Sequence, residues 1–294
     1  MIYLLTSIAL STGIFVLFQR FTSWNVHTLQ AIVINYGVAA TLGWVLCGGQ
    51  SIFISVQSEP WVWTALAMGL LFIYLFQLIA RSTQELGLTV TSIASKLSMV
   101  LPVAIFLAFD PLDDLTLHKG LAIALAIPAI VLSSWKEERI SAKQGMMRWL
   151  VPLVIFVGSG CIDLMFAAYS GEAHMQSVEH RYLFASLPLT TACIAGVFWL
   201  AASGQLNVPS RSTAMAGLGL GIINFGSLYF LLEAYDKINL ERSGLMPVNN
   251  LGVILLSAAS SVLFLGERLN RRNRFGLALG ALVIVLLLWE TVSR

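Results

Sequence analysis

Residues 88–109 read LTVTSIASKLSMVLPVAIFLAF, bounded by Gly87 and Asp110, and the only charged residue among them is Lys96. A run of about 20 predominantly apolar residues is long enough to cross a bilayer as a helix. Lipid offers the backbone no hydrogen-bond partners, so such a run has to be helical. On a helix, Thr89, Ser92 and Lys96 share one stripe, and Thr91, Ser95, Ser98 and Pro102 the next. A polar face on a membrane helix lines a neighbouring helix or a wet cavity.

Nine further runs of this kind flank the first. The expected spans are residues 2–19, 27–47, 61–80, 88–109, 116–134, 149–170, 182–202, 212–234, 243–265 and 275–292. The 294-residue chain is 57% hydrophobic and 11% charged, against about 25% charged in soluble domains. No connection between spans is long enough to hold a folded domain, so function has to sit among the helices. Residues 2–19 follow no basic segment and precede no small-residue cleavage motif, which reads as a first span rather than a cleaved signal peptide. Cys47, Cys161 and Cys193 all fall inside apolar runs, without disulfide or metal spacing, and read as small packing residues. Trp61, Trp63, Trp149 and Trp289 fall near span ends, as interfacial anchors do. The net charge of +2 comes without a basic stripe, which excludes nucleic acid as a partner.

Residues 80–109 overlay residues 234–263 without a gap. Ala80 meets Ala234, Leu86 meets Leu240, Leu97 meets Leu251 and Leu101 meets Leu255. Beyond the spans, Asp113-Asp114-Leu115 meets Glu267-Arg268-Leu269. The reading is a duplicated unit: residues 1–135 as one five-helix repeat, 136–148 as the connection, and 149–294 as the second repeat. Because five is odd, the second copy enters the membrane from the opposite face. The expected fold is therefore all-α, with ten transmembrane helices as two inverted five-helix repeats. In secondary transporters with such repeats the substrate site lies near mid-membrane, between the halves.

Of the 17 Lys and Arg residues, 11 lie in the odd-numbered loops, from Arg20 to Arg274. Five lie in the even-numbered loops and C-terminus, and the remaining one is Lys96. The excess would place the odd-numbered loops in the cytoplasm and both termini outside.

The eighth span carries Gly217, Gly219 and Gly221, then Asn224, Gly226, Ser227, Tyr229 and Phe230; the ninth carries Pro247 and Asn250 and leads into Leu265-Gly-Glu-Arg-Leu269. In these features, and in its ten-span plan, the chain resembles the drug/metabolite transporter superfamily of the EamA type. A Gly-Glu-x-Leu turn there commonly joins the fourth and fifth helices of each repeat; the first repeat departs from it with Asp113-Asp114-Leu115. The resemblance implies a secondary carrier of small metabolites working by alternating access, with both termini in the cytoplasm. That is opposite to the Lys/Arg distribution.

Lys96 is the most informative residue. A central Lys costs about 2.5–3.5 kcal/mol on insertion scales and lies too deep to snorkel easily. It reads as a cationic anchor for a substrate carboxylate or phosphate, or as half of a buried ion pair. The overlay places Asn250 opposite Lys96 across the repeat axis, as a cavity residue or an interhelix strut. Asp163 is the natural partner of Lys96, as an ion pair, a proton-coupling carboxylate or a charge at the cavity mouth. Tyr74 and Gln77, three residues apart, are expected to point inward. Asn224 and Ser227 repeat that spacing. With Ser92, these residues complete the expected substrate-binding set. Glu172, His174, Glu179, His180 and Arg181 match no metal-ligand spacing and read as a solvated loop.

The leading expectation is a secondary transporter of a small polar or anionic metabolite, amino-acid-like or an organic acid, in the cell (inner) membrane. Its partners would be that substrate, the bilayer and a coupling ion; the chain is compatible with a homodimer. The rival is a membrane-embedded enzyme acting on a lipid-linked substrate. No nucleotide-binding loop, HExxH pattern or Ser-His-Asp set occurs, so no cofactor is expected and the enzyme reading has no motif behind it.

Overall fold

The computed structural model describes residues 1–48, 53–54, 57, 59–109, 115–135, 142–170, 178–237 and 242–292. Its principal elements are all helical: α1 (Ile2–Phe21), α2 (Thr28–Leu46), α3 (Pro60–Leu86), α4 (Leu88–Lys96), a 3-10 turn (Leu97–Met99), α5 (Val100–Phe109), α6 (Leu117–Ser133), α7 (Ala142–Ser170), α8 (Val178–Ala202), α9 (Arg211–Lys237), α10 (Arg242–Leu265) and α11 (Arg271–Val292). With α4, the 3-10 turn and α5 taken as one span, nine segments among the described residues are long and apolar enough to cross a membrane. The apolar α6, at 17 residues, is a shorter tenth. The chain is an all-α, multi-pass membrane protein.

Three boundaries differ from the sequence expectation. α3 does not stop where hydrophobicity stops; it runs on through Arg81 to Leu86, with Arg81 Nε bonded to Glu85 Oε1 at 2.7 Å one turn away. Gly87 alone then joins α3 to α4. α7 begins at Ala142, so part of the expected connection 136–148 is helix; residues 136–141 lie outside the described residues. Glu179, His180 and Arg181 belong to the first turn of α8 rather than to a loop, whereas Glu172 and His174 lie outside the described residues. Trp61 is a further correction. It is 1% exposed, packed on Phe184 at 5.8 Å between ring centroids, and so is no interfacial anchor. Trp63 and Trp289, at 67% and 61% exposure, lie on the outer surface.

The fourth span is broken in its middle for a reason visible in its composition. Pro102 has no N–H to give the carbonyl four residues back, and its ring crowds that carbonyl. The chain answers by tightening into the 3-10 turn Leu97–Met99, where the Val100 N–H bonds to Leu97 O and Ser98 O.

Between helices the close approaches are made by glycine. α9 packs along α2, and a Cβ added at Gly217 or Gly221 would meet Ala31 O or Asn35 O at 2.9 Å. α11 packs along α6, where a Cβ on Gly276 would run into the Ser133 backbone; Gly69 of α3 stands likewise against Pro188 O of α8. In lipid, apolar side chains gain little by leaving their surroundings, so backbone proximity and dispersion carry helix association. The Gly-rich pattern of the eighth span is thus a packing surface. Substituting Val at Gly276 or Gly69 should destabilise the protein by about 1–3 kcal/mol, read as a lowered melting temperature in detergent. Gly219→Ala, with nothing within 4 Å of the new Cβ, should not lower it.

Candidate functional site

The break in the fourth span brings polar groups together at mid-membrane. Lys96 ends α4, where the helix dipole presents its negative end, a favourable seat for a cation. Among the described residues, no hydrogen bond and no ion pair within 4.0 Å engages its ammonium. Asp163 of α7 is near enough to interact with Lys96 electrostatically, but its carboxylate is held by a different group. Ser98 Oγ, in the 3-10 turn, lies 2.5 Å from Asp163 Oδ2 and 2.6 Å from the Ser95 carbonyl oxygen. The direct Lys96–Asp163 pair considered from the sequence is therefore absent, and serine takes its place. A hydroxyl has one proton to donate, and here it faces two acceptors. A proton on Asp163 would donate to Ser98 Oγ and free the Ser98 hydroxyl for Ser95 O, so this trio can accept a proton without rearranging.

On the facing helix α10, Asn250 is 6% exposed and its Nδ2 points at Met99 Sδ, 3.3 Å away. Lys96, Ser98, Met99, Asp163 and Asn250 thus come from α4, the 3-10 turn, α7 and α10, and gather round one break. Ser92 lies one turn before Lys96, buried, with its hydroxyl bonded to Thr89 O at 3.0 Å. Its donor is spent within its own helix. Ser98 and Met99 were absent from the sequence-derived set. The signal for them was Pro102, which makes the preceding turn irregular.

Two expected pairs lie elsewhere. Tyr74 is 52% exposed on the face of α3 that also carries Trp63 and Leu70, so it looks outward rather than inward. Gln77 sits at the edge of that face, its amide oxygen buried without a hydrogen-bond partner among the described residues. Asn224 donates to Asn35 Oδ1 of α2 at 3.1 Å, and the Ser227 carbonyl accepts from Ser7 of α1 at 2.8 Å. Asn224 and Ser227 are struts between helices. The position equivalent to Ser98 in the overlay is Gly252. It faces α1, where a Cβ would meet Ile8 Cδ1 at 2.5 Å, so the related contact is apolar and filled.

At the membrane face carrying the odd-numbered loops, hereafter the odd face, a second polar cluster closes over the start of α4. Gly266 (φ +67°) turns the chain after α10, and the Glu267 N–H bonds to Ser261 O at 2.9 Å. This turn aims the Glu267 carboxylate at Thr89, with Oε2 3.0 Å from Thr89 Oγ1 and 3.5 Å from Thr89 N. The Thr89 and Ser261 hydroxyls lie 2.8 Å apart. A recess of about 430 Å³, lined by Gln19, Gln84, Gly87, Glu267 and Asn273 among others, opens beside this cluster. A wider recess of about 820 Å³, between α2 and α8 and lined by Gly37, Thr41, Trp44 and Thr190, holds no charged group among the described residues.

No family model matches the chain. An uncharacterized protein of Haemophilus influenzae (strain ATCC 51907 / DSM 11121 / KW20 / Rd) is 26% identical over 282 residues, covering 93% of each chain. A protein of known crystal structure, 14% identical, superposes with a TM-score of 0.56 over 97% of this chain and 98% of its own. At that identity the likeness speaks to the fold. Together these observations define a multi-pass helical membrane protein with a charged cluster inside its bundle.

As Asn224 is a strut, Asn224→Leu should cost about 0.6 kcal/mol of stability, the mean for single interhelix hydrogen bonds in membranes, seen as a lower melting temperature. Tyr74→Leu should leave the melting temperature where it is.

Proposed function

We propose that the protein is a secondary transporter moving a small polar or anionic metabolite, amino-acid-like or an organic acid, by alternating access. One observation carries the reading: Lys96 ends a broken helix at mid-membrane, with Asp163 within electrostatic reach but no hydrogen bond and no ion pair within 4.0 Å on its ammonium among the described residues. A cation so placed is costly unless a ligand, water or counter-charge meets it. Discontinuous helices with polar groups at the break are how transporters hold substrates near the midplane. An anionic group on the substrate would bind Lys96, with the Asn250 amide facing it from α10. Asp163, able to take up a proton beside Ser98, is the coupling carboxylate, and the coupling ion is a proton.

The proposal includes an inverted repeat, and the helix packing supports it. Exchanging the halves turns three of the larger pairings into others that are present: α2 on α9 becomes α8 on α3, α1 on α9 becomes α7 on α3, and α1 on α10 becomes α7 on α4 and α5. The pairs α2 with α8, α6 with α11 and α4 with α10 each join a span to its own counterpart. Membership in the drug/metabolite transporter superfamily, residence in the cell membrane, and residues 1–135 and 149–294 as the two repeats belong to the same reading. The Leu265-Gly-Glu-Arg-Leu269 turn supports it.

The test is uptake into proteoliposomes. A panel of amino acids, hydroxy acids and dicarboxylates should contain at least one compound that accumulates, faster when an inward proton gradient is imposed. Lys96→Met keeps roughly the volume and removes the charge. It should abolish that uptake while the purified protein remains monodisperse with an unchanged helical circular-dichroism spectrum. Undiminished uptake by this variant would end the proposal.

A further inference from the structure

α4 is a nine-residue rod with a distinct joint at each end. At its start stands Gly87, φ +109° and ψ 160°, a conformation open to glycine alone. At its end stands the 3-10 turn imposed by Pro102. The first joint is clasped by the Glu267 carboxylate, which the turn after α10 delivers to Thr89; a Cβ on Gly87 would collide with that carboxylate. The second joint carries Lys96. An anion sits at the positive end of this helix and a cation at its negative end, and both complement its dipole. The rod between them is about 13.5 Å long, nine residues at 1.5 Å each.

From this geometry we infer that Glu267 is the latch of a gate on the odd face, and that α4 is the rigid link between that latch and Lys96. The inference rests on the transport reading above. The same face holds the other closures. Phe18 packs edge-on against Phe21 and Phe76 at 5.5 and 5.3 Å, Arg20 reaches Phe264 O at 3.1 Å, and Gln84 reaches Thr28 Oγ1 at 3.2 Å. Among these, the Glu267 clasp differs in acting directly on the rod that bears Lys96. An anionic substrate group that draws Lys96 aside tilts a helix too short to bend. The tilt moves Thr89 away from Glu267 and Ser261. Water in the adjoining recess then hydrates the freed carboxylate, and the odd face opens. Release of the substrate lets the rod swing back and the clasp close.

The test needs no knowledge of the substrate. In protein with Cys47, Cys161 and Cys193 replaced by Ala, Ser95→Cys serves as a reporter beside Lys96, and Arg268→Cys as a control on the exposed odd face. A charged, impermeant methanethiosulfonate is applied to vesicles of either orientation. Glu267→Gln should raise labelling of the Ser95→Cys reporter from the odd face about tenfold, as loss of one hydrogen bond to a charged group predicts, while the control is unchanged. A disulfide between Thr89→Cys and Ser261→Cys should suppress odd-face labelling of the reporter, and reduction followed by washing should restore it. Odd-face labelling equal to the parent in Glu267→Gln, or unaffected by the disulfide, would overturn the latch. If Glu267→Gln fails to fold, the disulfide arm decides alone. Failure of the transport reading would appear separately, as an absence of uptake while gating of the reporter persists.

Discussion

The interruption at Leu97–Met99 is the constraint on which the rest of the molecule turns. A continuous fourth helix would have satisfied its own carbonyls and left no mid-membrane irregularity. With Pro102 in place, that satisfaction fails at the Ser98 carbonyl, and a tightened 3-10 turn meets the deficit through the Val100 N–H, while the Ser98 hydroxyl bonds back to Ser95 O. The same hydroxyl contacts Asp163, so the break and the half-buried carboxylate are one arrangement. Irregular backbone is tolerated at membrane depth only where protein or a water-filled cavity covers it. Helices α7 and α10 supply that cover, and each brings a polar side chain to the break.

The outer surface obeys a simpler rule. Where helices cross closely, glycine stands at the crossing; where they face outward, large side chains such as Leu70, Phe198 and Leu263 are exposed. The buried polar residues away from the break are mostly committed locally. Serine and threonine hydroxyls return to carbonyls three or four residues back, as in Thr83 to Ile79 O and Ser186 to Tyr182 O. Polarity inside the bundle is therefore no sufficient mark of a site, and Ser92 illustrates this. What distinguishes Lys96 is that nothing in its own helix can satisfy it.

The spans were legible in the sequence because membrane thickness dictates a length and lipid dictates apolarity. The start of the fourth span was readable to the residue. The extension of α3 through Arg81 to Leu86 was not, because hydropathy registers the edge of the hydrocarbon and not the end of the helix; Gly87 was the better signal. Lys96, Asp163 and Asn250 could be chosen because charge or amide groups at mid-span are costly. Tyr74, Gln77, Asn224 and Ser227 could be identified as polar but not oriented. The facing of a helix depends on its neighbours, and spacing along one chain does not contain them. Ser98 was hidden by being an ordinary hydroxyl, and its importance came from a proline four residues later.

Ile8 fills the space at Gly252 that Ser98 and Asp163 occupy in polar form on the other side of the bundle. If the two halves are related by a two-fold axis, the molecule has kept the scaffold of a duplicated ancestor while retaining chemistry in only one copy. A symmetric carrier would offer two equivalent seats and could load from either. Under the proposed transport function, with one seat filled by apolar side chains, a substrate would meet charge only at Lys96 and Asp163, and its route would be displaced from the axis toward α7. Inward and outward movement would then not have to be equally fast, since the two halves that exchange places are no longer chemically the same.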